Sequence, residues 1–161
     1  MTRNIVVGAA QLGPIQRTDS RDIAVKRMIE LLLHAHEAKC DLVVFPELAL
    51  TTFFPRWFVD DISQADHWYE TVMPSAETAP LFDEARRLGI GFSLGYAELT
   101  PLGERFNTQI LVNNDGSIIA KYRKVHIPGH ETHEPDRPFQ HAERYYFTPS
   151  NEGFGVWKAF G

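Results

Sequence analysis

The chain has 161 residues, 43% hydrophobic and 23% charged, with 16 Lys+Arg against 21 Asp+Glu for a formal net charge of −5. This describes one globular domain or part of one, and its scattered, outnumbered basic residues form no stripe to neutralise a phosphate backbone, which argues against nucleic acid as partner. Cys40 is the single cysteine, excluding an internal disulfide framework, and no apolar run approaches the ~20 residues of a membrane span. Met1-Thr2-Arg3-Asn4 leads into a short alternating segment rather than a signal-peptide core, so a cytoplasmic protein with no membrane partner is expected.

Residues 5–10 form a compact apolar run of strand length, ended by the turn chemistry of Gln11-Leu12-Gly13-Pro14. From Asp19-Ser20 to about Lys39 the pattern becomes helical: Ile23, Met28, Leu31, Leu32 and Ala35 share a face, and Asp19 or Ser20 can cap the free amides. Leu42-Val43-Val44-Phe45 is too short for a helix and continuously apolar, the signature of a strand buried on both faces, and Pro46 breaks it. Strand, helix and strand imply a βαβ unit. A second helix is predicted over residues 79–88, with Pro80 in its first turn and Gly89 at C′. Strand-like runs at 90–98, 106–112 and 117–122, joined by Pro101-Leu102-Gly103 and Asn113-Asn114-Asp115-Gly116, form an antiparallel meander. Residues 123–149 show no period, contain four histidines at 126, 130, 133 and 141, and read as a long functional loop. Residues 154–161 open another alternating pattern and stop, which gives the chain an unfinished look.

Two motifs carry chemistry. Glu47, in Phe45-Pro46-Glu47-Leu48, follows a buried strand and so sits at the strand's C-terminal end, where open α/β sheets bind ligands. Flanked by Phe45, Leu48, Phe53, Phe54 and Trp57, it is expected to be partly desolvated, as suits a general base; the plainer alternative is a carboxylate that binds loop amides. In Lys121-Tyr122-Arg123-Lys124-Val125-His126, alternation places Lys121 and Arg123 on one face and Tyr122, Lys124 and His126 on the other. The second set can direct an ammonium and an imidazole at one point, where a cation stabilises an oxyanion; the alternative is a solvated basic edge strand. His126, His130 and His133 have zinc-like spacing, but Pro128-Gly129 forbids the helix that would bring them together, so no metal site is expected. The glycines of residues 89–95 misplace a dinucleotide fingerprint and are better explained by close backbone packing. Cys40, at a helix end that disfavours a thiolate, reads as a packing residue.

Taken together, Phe45-Pro46-Glu47-Leu48 and the segment from Lys121 to His126 resemble the carbon–nitrogen hydrolase (nitrilase) superfamily, whose members use a Glu-Lys-Cys triad. The stretches from Glu47 to Trp57, Gly91 to Glu98 and Arg137 to His141 are similar to the N-carbamoyl-D-amino-acid hydrolases within it. The resemblance implies an α/β fold, here the N-terminal part of an α-β-β-α sandwich, with residues 1–161 a partial domain that stops before the nucleophilic cysteine. It makes Glu47 the general base, Lys124 the oxyanion-stabilising cation and Glu143 the acid that orients the lysine; an exposed loop acid is the plain reading of Glu143. It also makes His126 a structural support and His141 a substrate contact, with the cysteine and a carboxylate-binding arginine expected beyond Gly161. It further implies hydrolysis of small N-carbamoyl amino acids without metal or organic cofactor, and a homo-oligomer at full length. The alternatives are an amidase acting on N-carbamoyl-β-alanine or aliphatic amides, and a split half that binds without catalysing.

Overall fold

The computed structural model describes residues 4–160; the leader argument at Met1, Thr2 and Arg3, and the last residue of the closing alternation, Gly161, lie outside them. The elements run β1 (Val7–Ala9), α1 (Arg21–Glu37), β2 (Leu42–Val44), α2 (Ala79–Leu88), β3 (Gly91–Leu99), β4 (Arg105–Val112), β5 (Ile118–Arg123) and the short α3 (Glu143–Tyr146). Between β2 and α2 the chain makes two 3-10 helices, Phe54–Arg56 and Ile62–Trp68. One five-stranded sheet has the order β1-β2-β3-β4-β5. β1, β2 and β3 are parallel, and β3, β4 and β5 antiparallel, so both the βαβ unit and the meander are present. No helix among the described residues is long and apolar enough to cross a membrane.

The main core lies between the sheet and helices α1 and α2. Met28 and Leu32 of α1 and Leu81, Phe82 and Ala85 of α2 pack on Val43, Phe92, Leu94, Ile110 and Val112. Gly89 closes α2 in the left-handed conformation, φ 66°, where a side chain would be strained. At the other end of the element, α1 differs from expectation. Ser20 makes no side-chain cap, Asp19 accepts from Gln16 N and Arg27 instead of from the helix amides, and Ile23 is exposed rather than inward-facing.

β2 corrects a second expectation, that it is buried on both faces. Val43 is 1% exposed but Val44 is 39% exposed, since the helices cover one side of the sheet and the other is open. Residues 154–160 run along that open side without joining a strand: Phe154 stacks 6.1 Å from Tyr122, and Phe160 lies against Gly91, where a Cβ would collide with its ring.

A second core is aromatic. Phe54 stacks on Trp68 at 5.0 Å and meets Tyr146 edge-on at 5.1 Å, with Tyr69 and Phe147 completing the cluster. This cluster joins the 3-10 helices to α3. Two further bonds tie the same segments, Gln140 N to Arg56 O at 2.7 Å and Ala142 N to Pro55 O at 3.0 Å. The stretch read as a long functional loop is therefore pinned at its C-terminal end and contains a turn of helix.

Candidate functional site

Glu47 is carried by the loop leaving β2. That loop crosses β3 closely: Phe45 N donates to Ser93 O at 2.9 Å and Ala49 N to Gly95 O at 2.8 Å. Gly95 makes the crossing possible, because a Cβ there would lie 2.9 Å from both Glu47 Cα and Pro46 O. The glycines of this strand thus serve close packing, as their spacing suggests. The residue after the acid, Leu48, holds φ 49°, a left-handed value that a leucine adopts only under constraint.

Lys124 leaves the end of β5, held by its own N–H on Asn107 O at 2.8 Å and by its carbonyl on Ser150 N at 3.0 Å. Its ammonium lies between two carboxylates, donating to Glu47 Oε1 at 2.7 Å and Glu143 Oε2 at 2.8 Å. Burial works against the charged amine, but the hydrogen bonds and charges of Glu143 and Glu47 outweigh it and raise the lysine's pKa. Glu143, the first residue of α3, is nearly enclosed, with its side chain 4% exposed, and its other oxygen meets His141 Nε2 at 3.2 Å. Glu143 is therefore not an exposed loop acid.

Asn107 completes the cluster, and sequence reasoning missed it. Its Nδ2 donates to Glu47 Oε1 at 2.6 Å, while its carbonyl holds the lysine backbone. It is 6% exposed, and in a strand that also carries Arg105, Thr108 and Gln109 nothing in the sequence sets it apart. Both bonds fall on Glu47 Oε1, leaving Oε2 without a partner among the described residues. The Glu47 side chain is 46% exposed, partly covered and partly open to the uncovered side of the sheet.

His126 belongs to the same recess, of about 430 Å³, whose walls include Glu47, Asn107, Lys124 and Tyr122; its ring stacks on Phe154. His130 pairs with Glu134 at 3.2 Å and His133 stacks on Phe58 at 4.5 Å, so the three histidines go to three different partners. Lys121 and Arg123 point to the opposite face, where both bind Glu98. Cys40 packs by Gly8 and Ala35 before the start of β2, the end of that strand remote from Glu47. The arrangement thus gathers Glu47, Lys124, Glu143, His141 and Asn107: a carboxylate oxygen free to take a proton, beside a fixed cation.

Residues 6–159 match the carbon-nitrogen hydrolase family model. Among curated relatives, N-carbamoylputrescine amidase of Arabidopsis thaliana is 24% identical over 97% of this chain and 47% of its own length. Cyanide hydratase of Penicillium rubens is 30% identical over 63% of this chain and 30% of its own. Among solved structures, a carbon-nitrogen hydrolase from Helicobacter pylori G27 superposes with a TM-score of 0.77 at 25% identity, over 97% of this chain and 48% of that one. The chain therefore spans about half the length of the amidase and of the solved hydrolase that it matches.

Proposed function

The chain belongs to the carbon-nitrogen hydrolase family, and from that premise we propose that it forms the Glu-Lys half of an amidohydrolase converting N-carbamoyl-D-amino acids to D-amino acids, ammonia and carbon dioxide. The observation that carries this reading is the Lys124 ammonium clamped between Glu47 and Glu143 with Glu47 Oε2 left free.

In this mechanism Glu47 takes the proton of a cysteine thiol supplied by the chain that follows this sequence, and the thiolate attacks the carbamoyl carbon. Lys124, already oriented and charged, stabilises the oxyanion without reorganising. Glu47 returns its proton to the departing amine, which leaves as the amino acid. Water, deprotonated by the same glutamate, then cleaves the S-carbamoyl intermediate; carbamate is released and breaks down to ammonia and carbon dioxide. Glu143 holds the lysine, His141 steadies Glu143 from the solvent side where it meets substrate, and His126 supports the recess wall. Asn107 joins this set as the group that fixes the Glu47 rotamer.

The carbamoyl preference draws support from the name of the Arabidopsis relative, which denotes an amidase of a carbamoylated amine. The nitrile-directed names among the other relatives favour a second reading, a nitrilase or simple amidase on the same cluster. Ammonia release by the full-length polypeptide from N-carbamoyl-D-phenylalanine, its L-enantiomer, N-carbamoyl-β-alanine, propionamide and benzonitrile separates the readings. Turnover dominated by the D-carbamoyl substrate is expected; dominance of the amide or nitrile would replace it.

A further inference from the structure

Residues 130–141 form a closed loop. Its ends meet where His130 N donates to His141 O at 2.9 Å, and its interior is filled by one of its own side chains, as in compact surface loops generally. That side chain is Gln140, 9% exposed. Its Oε1 accepts from Glu134 N at 2.9 Å, while its Nε2 donates to Glu134 O at 2.8 Å and to Arg137 O at 3.2 Å. One side-chain amide thus satisfies both an inward N–H and two inward carbonyls of the loop, which an apolar residue of similar length cannot do.

The next residue is His141. Its Nε2 lies 3.2 Å from Glu143 Oε1, yet its side chain is 55% exposed, so packing holds it weakly. Phe53, with ring centroids 6.4 Å apart, is its one aromatic neighbour among the described residues. What aims the imidazole is therefore the backbone that carries it. That backbone is tied on both sides, by Gln140 N on Arg56 O at 2.7 Å before it and Ala142 N on Pro55 O at 3.0 Å after it. Gln140 alone contributes a side chain to this bracing, and it joins the stretch entering His141 to the interior of the loop.

We infer that Gln140 is a positioning residue of the candidate site. By locking the loop from inside it sets the approach of His141 to Glu143, and through Glu143 the place of the Lys124 ammonium. The inference rests on the proposed amidohydrolase reading and adds to it a residue that acts only through its neighbour. A displacement of about 1 Å, caused far from the reacting atoms, can cost on the order of 100-fold in rate.

The test is a double-mutant cycle of Gln140→Met with His141→Ala in the full-length polypeptide, with N-carbamoyl-D-phenylalanine, propionamide and benzonitrile as substrates. Gln140→Met keeps the side-chain length and loses all the loop bonds of the amide. It is expected to lower kcat/KM for the best substrate about tenfold or more by itself, and less than about twofold in the His141→Ala background. A merely structural Gln140 would cost the same factor in both backgrounds, and that result overturns the inference. Gln140→Glu supplies a second readout should Gln140→Met not fold. Ionised, the new carboxylate faces two carbonyl oxygens with no proton to donate; protonated, it offers one donor and one acceptor. Its rate relative to wild type should therefore climb as the pH falls and the new carboxyl takes up its proton, and the climb should vanish when both forms carry His141→Ala. A ratio flat with pH, or a climb that persists without His141, counts against the inference equally. If wild type hydrolyses none of the three substrates, the amidohydrolase reading fails and amide exchange decides the positioning. Faster exchange over residues 141–144 in Gln140→Met, with α2 unchanged, upholds it; unchanged exchange there ends it.

Discussion

Lys124 and Glu143 are coupled more tightly than a pair of catalytic candidates need be. Glu143 is almost fully enclosed and its cation is Lys124, so Lys124→Ala strands a buried carboxylate, whereas Glu47→Gln removes a charge that water can already reach. Both substitutions are expected to lower turnover of the full-length polypeptide about 100-fold or more. They should differ in stability: Lys124→Ala costs up to ~3 kcal/mol, Glu47→Gln little, and Glu143→Gln in the Lys124→Ala background should recover most of the loss in urea melts. A second residue-scale case lies on the opposite face of the sheet. Burial pushes the Glu98 pKa up, but hydrogen bonds from Arg123, Lys121 and Thr108 outweigh it and bring it down to about 2 from an ordinary 4.5. A folded pKa below the unfolded one stabilises fully above the unfolded value and is lost as pH falls towards the folded one. The thermal midpoint should therefore drop as pH goes from about 5 to about 2, with a shallower slope in Glu98→Gln; an unchanged slope would remove Glu98 as its source.

At the scale of elements, the site depends on two loops held by packing rather than by regular structure. The Glu47 loop lies on Gly95, and Gly95→Ala would set a methyl group 2.8 Å from Gln109 Oε1 as well as against the loop backbone. Overpacking of this kind costs about 1–3 kcal/mol, and turnover should fall with it because the displaced backbone carries Glu47. The Glu143 segment depends on the aromatic cluster. Phe54 is fully buried at its centre, so Phe54→Ala should cost about 3–5 kcal/mol and raise amide exchange in α3. If exchange rose elsewhere but not over residues 142–147, the cluster would not be what positions Glu143.

For the whole molecule the decisive feature is the open sheet face. Val7 is 54% exposed, Val44 39% and Phe154 73%, while the helices cover only the other side. Exposed apolar surface of this extent drives association, and a net charge of −5 opposes it weakly. The isolated 161-residue chain is expected to self-associate in light scattering and to bind a hydrophobic dye; a sharp two-state melt from a clean monomer would contradict this. It is also expected to release no ammonia from N-carbamoyl-D-amino acids, since its one cysteine, Cys40, lies at the far end of β2 from Glu47. Ammonia release that disappears in Glu47→Gln would show otherwise.

Local chemistry was enough to read the elements whose signal is local. Pro80 and Gly89 bracket α2 at its observed bounds, the two turn sequences place the meander strands within a residue or two, and strict alternation sends Lys121 and Arg123 one way and Lys124 the other. Burial was not legible in the same way. A run such as Leu42-Val43-Val44-Phe45 has the same composition whether one face is covered or two, because coverage depends on where distant helices pack. Glu47 and Lys124 stand in recognisable motifs and Glu143 follows only from the family resemblance, but their meeting spans 77 and 19 residues of chain, and only the fold could close those distances. Asn107 carries no sequence signature at all. An amide in a strand is an ordinary residue until a distant loop brings a carboxylate within its reach. Sequence determines what each side chain can do; the tertiary structure decides which partners are within a hydrogen bond's reach.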